Sequence, residues 1–106
     1  MTKVYNKLVR DKIPEIIRSC GKTCSIATLS EDDYLRMLDQ KLNEELAEYQ
    51  ESKSLEELAD LMEVIAAVTL ARGYSWEELM QVRDKKRAER GGFEEKILLL
   101  EVKDER

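Results

Sequence analysis

The stretch Leu58–Ala71 (LADLMEVIAAVTLA) constrains this chain more than any other. Its spacing is helical, and apolar side chains cover nearly the whole circumference. A helix of that kind has to be enclosed by other elements. A chain of 106 residues has few ways to enclose one on every side. We therefore expect further copies to supply the missing cover, as a homodimer or homotetramer. The run falls well short of the roughly 20 apolar residues that span a bilayer, so no membrane partner is expected. Asp60 and Glu63 interrupt it, and Asp60 points along the side of Val64, Ala67 and Ala71. A buried carboxylate is costly unless it is paired, protonated or bound to a metal.

The rest of the chain is punctuated around this helix. Asp11 and Pro14 predict a short helix start, with Ile13, Ile16 and Ile17 as its apolar stripe and Gly21 as its stop. Ser30 opens a long helix to about Gln50, on which Leu35, Leu38, Leu42, Leu46 and Tyr49 share a face. Ser54-x-x-Glu57 matches a capping box for the apolar helix, which stops at Gly73. Ser75-x-x-Glu78 repeats the signal for a last helix, broken at Gly91-Gly92. Residues 22–29 are β-branched and alternate weakly, which allows a short two-stranded β element with residues 96–101. The expected fold is a single domain over 1–106, an all-α helical bundle. At its centre is an antiparallel helix hairpin, and oligomerisation completes it.

Composition narrows the chemistry. The chain has no histidine, which removes Ser-His-Asp and Cys-His nucleophile systems and His-ligated zinc or haem. Cys20 and Cys24 are too few for an all-cysteine metal site, and their spacing is not a redox CxxC pair. Reduced thiols in a cytoplasmic protein are the expectation, since no signal-peptide pattern opens the chain. Carboxylate chemistry with oxygen-loving metals remains. The net charge of -5 is unevenly spread. Residues 3–22 carry +4, residues 44–63 carry -7 and residues 83–90 carry +3. A net acidic chain is not expected to bind nucleic acid nonspecifically.

Within the acidic block, the short turn at 51–54 sets two helices antiparallel, so residues at equal height share a constant index sum. With the turn centred between Ser52 and Lys53, Glu48 faces Glu57 and Glu45 faces Asp60. Within each helix the two acids are three residues apart, about 4.5 Å along the axis. Four carboxylates so placed repel one another and raise one another's pKa values. A hard cation, Mg²⁺, Mn²⁺ or Ca²⁺, relieves that repulsion. The plainer alternative is a solvated acidic face, with Glu57 serving only as a capping residue.

Glu44-Glu45-Leu46-Ala47-Glu48 followed by Glu57-Leu58-Ala59-Asp60 resembles the EExxE…ExxD signature of the all-α nucleotide pyrophosphohydrolases. That superfamily includes MazG, phosphoribosyl-ATP pyrophosphohydrolase and the dimeric dUTPases. The opening Tyr5–Pro14 (YNKLVRDKIP) and Arg90-Gly91-Gly92-Phe93 resemble a small, mostly predicted house-cleaning subgroup, so the likeness runs from about Val4 to Leu100. It implies Mg²⁺ on Glu45, Glu48, Glu57 and Asp60, with Mn²⁺ as a substitute. It also implies a helical-bundle oligomer acting on a small nucleotide. The spacer between the two acidic halves is shorter than in many members.

The activity expected on this basis is hydrolysis of a nucleoside triphosphate between the α and β phosphates, giving monophosphate and pyrophosphate. Glu44 or Glu45 is the candidate proton acceptor, because no histidine exists to serve. Lys7, Arg10, Lys86 and Arg90 are the candidates for holding phosphates. One rival keeps the fold and metal but acts on phosphoribosyl-ATP in histidine biosynthesis. Another is a non-catalytic dimeric helical module.

Overall fold

A computed structural model describes residues 2–104, which fall in two compact units, 2–74 and 75–104. The described residues form four helices and no strands. The first unit contains α1 (Ile13–Ser19), α2 (Glu31–Ser52) and α3 (Leu55–Ala71), and the second contains α4 (Trp76–Arg90).

Serine caps set three of the four helix starts. The Ser30 hydroxyl accepts the Asp33 N–H at 3.2 Å, Ser54 accepts that of Glu57 at 3.2 Å, and Ser75 accepts that of Glu78 at 3.1 Å. Each such cap contributes about 1 kcal/mol. Only Ser75 heads a complete capping box, in which Glu78 returns to the Ser75 N–H at 3.0 Å. At α3 the box is half made. The Ser54 N–H donates to the Ser52 hydroxyl at 3.3 Å instead, which leaves the Glu57 carboxylate for another use. Asp11 caps nothing at α1. Its N-cap is Lys12, and Pro14 stands in the first turn. Gly21, at φ 81°, supplies the left-handed step that ends this segment, and Lys22 N–H reaches back to Ile17 C=O at 3.3 Å.

Two residues, Lys53 and Ser54, connect α2 to α3, and the two helices pack on each other. Lys53 adopts the left-handed conformation at φ 59°. Its N–H donates to Tyr49 C=O at 2.7 Å, and its ammonium lies 5.6 Å from the Tyr49 ring centre. Arg72, just past α3, pairs with Asp39 in α2 at 3.1 Å. The buried apolar residues are Leu38 and Val64, 3% and 9% exposed. Thr69 is also buried and donates its hydroxyl to Ile65 C=O at 2.7 Å. Leu55, Leu58, Met62 and Leu70 of α3 stay exposed, as do Ile97 to Leu100 in the second unit.

Two expectations are corrected. Residues 22–29 and 96–101 form no β element, and they belong to different units. Asp60 is not buried either, since its side chain is 43% exposed. The buried carboxylate is Glu45, at 8%. An apolar circumference alone does not say which side of α3 this chain covers.

Candidate metal centre

The packing of α3 on α2 brings three carboxylates together. One oxygen from each of Glu45, Glu57 and Asp60 lies within 4.8 Å of the others. Glu45 projects from the seam of α2 and Glu57 from the first turn of α3, where the half-made cap leaves its carboxylate unused. Asp60 sits one turn further along α3. Glu48 is not in this trio but lies against two of its members. Its carboxylate stands close enough to Glu45 and Glu57 to raise the pKa of each. Glu45 Oε2 and Glu57 Oε2 are buried without a hydrogen-bond partner.

The electrostatics follow from this crowding. Burial is the main force pushing the Glu45 pKa above its usual 4.5, followed by the adjacent carboxylate of Glu48, with a smaller contribution from Asp60. Lys41 opposes these. Desolvation also leads for Glu57, whose pKa is raised further by the charges of Glu48 and Asp60. Such an arrangement attracts a cation. Carboxylate oxygens from three side chains, two of them buried without a partner, fit a hard divalent ion and would suit neither a soft metal nor an anion.

Two cations of the chain already border the trio. Lys41 Nζ lies 3.3 Å from Glu44 Oε2 and 3.7 Å from Glu45 Oε1. Sequence reasoning missed Lys41, although its spacing of three and four residues before Glu44 and Glu45 was a readable signal. Arg10 Nη2 lies 2.6 Å from Asp60 Oδ1. Arg10, expected on phosphate, is thus placed on an acid.

The other site candidates are not members of the trio. Glu44 lies outside the trio, half-exposed and paired with Lys41. Lys7 is exposed, its ammonium 5.6 Å from the Tyr5 ring centre. Lys86 and Arg90 are exposed on α4, in the second unit. Cys20 and Cys24 are free thiols. No helix among the described residues is long and apolar enough to cross a membrane.

Comparison with known proteins adds little to this geometry. No family model matches the chain, and no solved structure matches it. A 42-residue segment, 40% of the chain, is 60% identical to part of an uncharacterized protein of Mycolicibacterium smegmatis. The segment covers 43% of that relative, so the chain matches less than half its length.

Proposed function

We propose that the chain is a divalent-metal-dependent nucleotide pyrophosphohydrolase that splits a nucleoside triphosphate into monophosphate and pyrophosphate. The observation that carries this reading is the trio Glu45, Glu57 and Asp60, with two buried oxygens that lack a donor. These three residues would hold Mg²⁺ or Mn²⁺, and Glu48 would steady Glu45 and Glu57 from the side. When bound, the ion supplies charge neutralisation and polarisation of the phosphate oxygens.

The chain's own groups do the rest. In the overall reaction a water oxygen bonds to phosphorus as the bridging P–O bond breaks, and a carboxylate takes the water proton. Glu45, the most buried acid of the trio, is one candidate for that role. Glu44 is the other candidate, held closer to Lys41, at 3.3 Å against 3.7 Å for Glu45. The transfer asks mainly for positioning and charge neutralisation.

The decisive experiment is a panel of ordinary and damaged nucleoside triphosphates, with phosphoribosyl-ATP included, assayed with Mg²⁺ and again with EDTA. Equal release of monophosphate and pyrophosphate, abolished by EDTA, is expected. Orthophosphate as sole product would identify a different bond, and no turnover of any member would favour a non-catalytic module.

The second part of the proposal is assembly. We read α2 and α3 as an antiparallel hairpin completed by further copies of the chain, which cover Leu58, Met62 and Leu70. Each such side chain contributes about 1.5–3 kcal/mol when fully buried. Light scattering is expected to give a dimer or tetramer mass, and Met62→Glu to lower it. A monomer at micromolar concentration contradicts this.

A further inference from the structure

We propose that Arg10 is a tethered counter-ion of the acidic trio, and that a divalent cation displaces it from Asp60 and frees it for an anionic group. The inference rests on the metal-site reading above. It starts from the 2.6 Å contact between Arg10 Nη2 and Asp60 Oδ1, two residues 50 positions apart in sequence. The pair is no by-product of one helix's spacing. It ties the segment ahead of α1 to the acidic site on α3.

The geometry separates what is fixed from what can move. The Arg10 carbonyl accepts the Ile13 N–H at 3.0 Å, which holds its backbone at the start of α1. Its side chain is 57% exposed, so the guanidinium can swing without leaving a buried hole. Asp60 belongs to the trio whose other two members, Glu45 and Glu57, each keep a buried oxygen with no donor. Arg10 therefore neutralises part of the cluster and leaves its deepest oxygens unanswered. A hard ion answers them because it draws ligands to about 2.0–2.5 Å.

Both cations cannot hold Asp60 equally well. An ion on this carboxylate and a guanidinium on the same group would lie within about 5 Å of each other, where like charges repel. Arginine does not lose its proton in proteins, so it gives way by moving. Its planar fork of N–H donors matches the oxygens of a phosphate. Displacement thus leaves a phosphate-binding group beside the ion, where a nucleotide's charge would arrive. Arg10 serves as a positioning residue in two states: on Asp60 without metal, and on an anion with it.

The test is a calorimetric titration of Mg²⁺ into the full chain, comparing wild type, Arg10→Ala and Lys12→Ala. Half-exposed ion pairs bias an equilibrium by a factor of about 1.5–5. Arg10→Ala is expected to bind Mg²⁺ more tightly by about that factor, while Lys12→Ala, which removes the same charge nearby, changes affinity less. With nucleotide present, Arg10→Ala should raise KM more than it lowers kcat. If Arg10→Ala fails to fold, Arg10→Gln provides the same comparison. In wild type, the Arg10 Nε–Hε resonance should shift on Mg²⁺ addition. Unchanged or weaker Mg²⁺ binding in the Arg10 variant, or equal tightening in Lys12→Ala, overturns the exchange and spares the metal site. Absence of Mg²⁺ binding in all the proteins overturns both.

Discussion

Replacing Glu45 by glutamine is expected to cut Mg²⁺-dependent pyrophosphate release on the order of 10³-fold while raising the melting temperature of the metal-free protein. The two effects have one origin. Glu45 is the most buried acid of the trio, and its Oε2 has no donor. Its pKa is raised, chiefly by burial and then by Glu48. In the unfolded chain the ordinary value of 4.5 applies. Below that pH both states hold the proton and Glu45 costs nothing. As pH rises above it, the unfolded chain releases its proton first, so stability falls until the pH has passed the folded value. Glutamine has no proton to lose, and its amide can donate to Glu48. The metal-free melting temperature of Glu45→Gln should therefore decline less from pH 5 to pH 8 than that of wild type. A larger decline in the variant, or turnover within tenfold of wild type, would remove Glu45 from the site.

Mg²⁺ is expected to produce the largest stability change in the unaltered protein. An ion that binds only the folded state stabilises it by about 2.7 kcal/mol at a hundredfold excess over Kd. For a chain of 106 residues that corresponds to a rise in melting temperature on the order of 10 °C. Part of the gain comes from relieving repulsion among Glu45, Glu48, Glu57 and Asp60, so it should be greater at pH 8 than at pH 5. Glu45 and Glu57, whose pKa values are raised, hold their protons more readily as pH falls and relieve part of it. Calorimetric melting with and without Mg²⁺ at both pH values checks magnitude and sign together. A shift that is equal at both pH values would mean that the ion binds elsewhere.

The sequence was most legible where local chemistry decides structure. Ser30, Ser54 and Ser75 mark three helix starts because a hydroxyl there answers a backbone N–H in any fold. The acidic site was legible through spacing, since turns of helix bring Glu45 to Glu48 and Glu57 to Asp60. Legibility ended where distant segments meet. The Arg10–Asp60 contact follows no periodicity, and residues ahead of α1 carry no regular structure that could place it. The exposure of Asp60 was misjudged because α3 is apolar on every side and only its packing on α2 selects a face. The β element was drawn from β-branched composition, which is a weak signal without a partner strand. Glu57 shows the finer limit. Its capping-box spacing is present, yet the Ser52 hydroxyl takes the Ser54 N–H and leaves the carboxylate to the cluster.

The assignment of a hard divalent cation to Glu45, Glu57 and Asp60 is tested by titrating Mn²⁺ against protein and following the free-ion electron paramagnetic resonance signal. Wild type is expected to deplete the free signal, Mg²⁺ to restore it by competition, and Glu57→Gln and Asp60→Ala each to lose the depletion. A free signal undiminished by excess wild-type protein, or depleted equally by both variants, would contradict it.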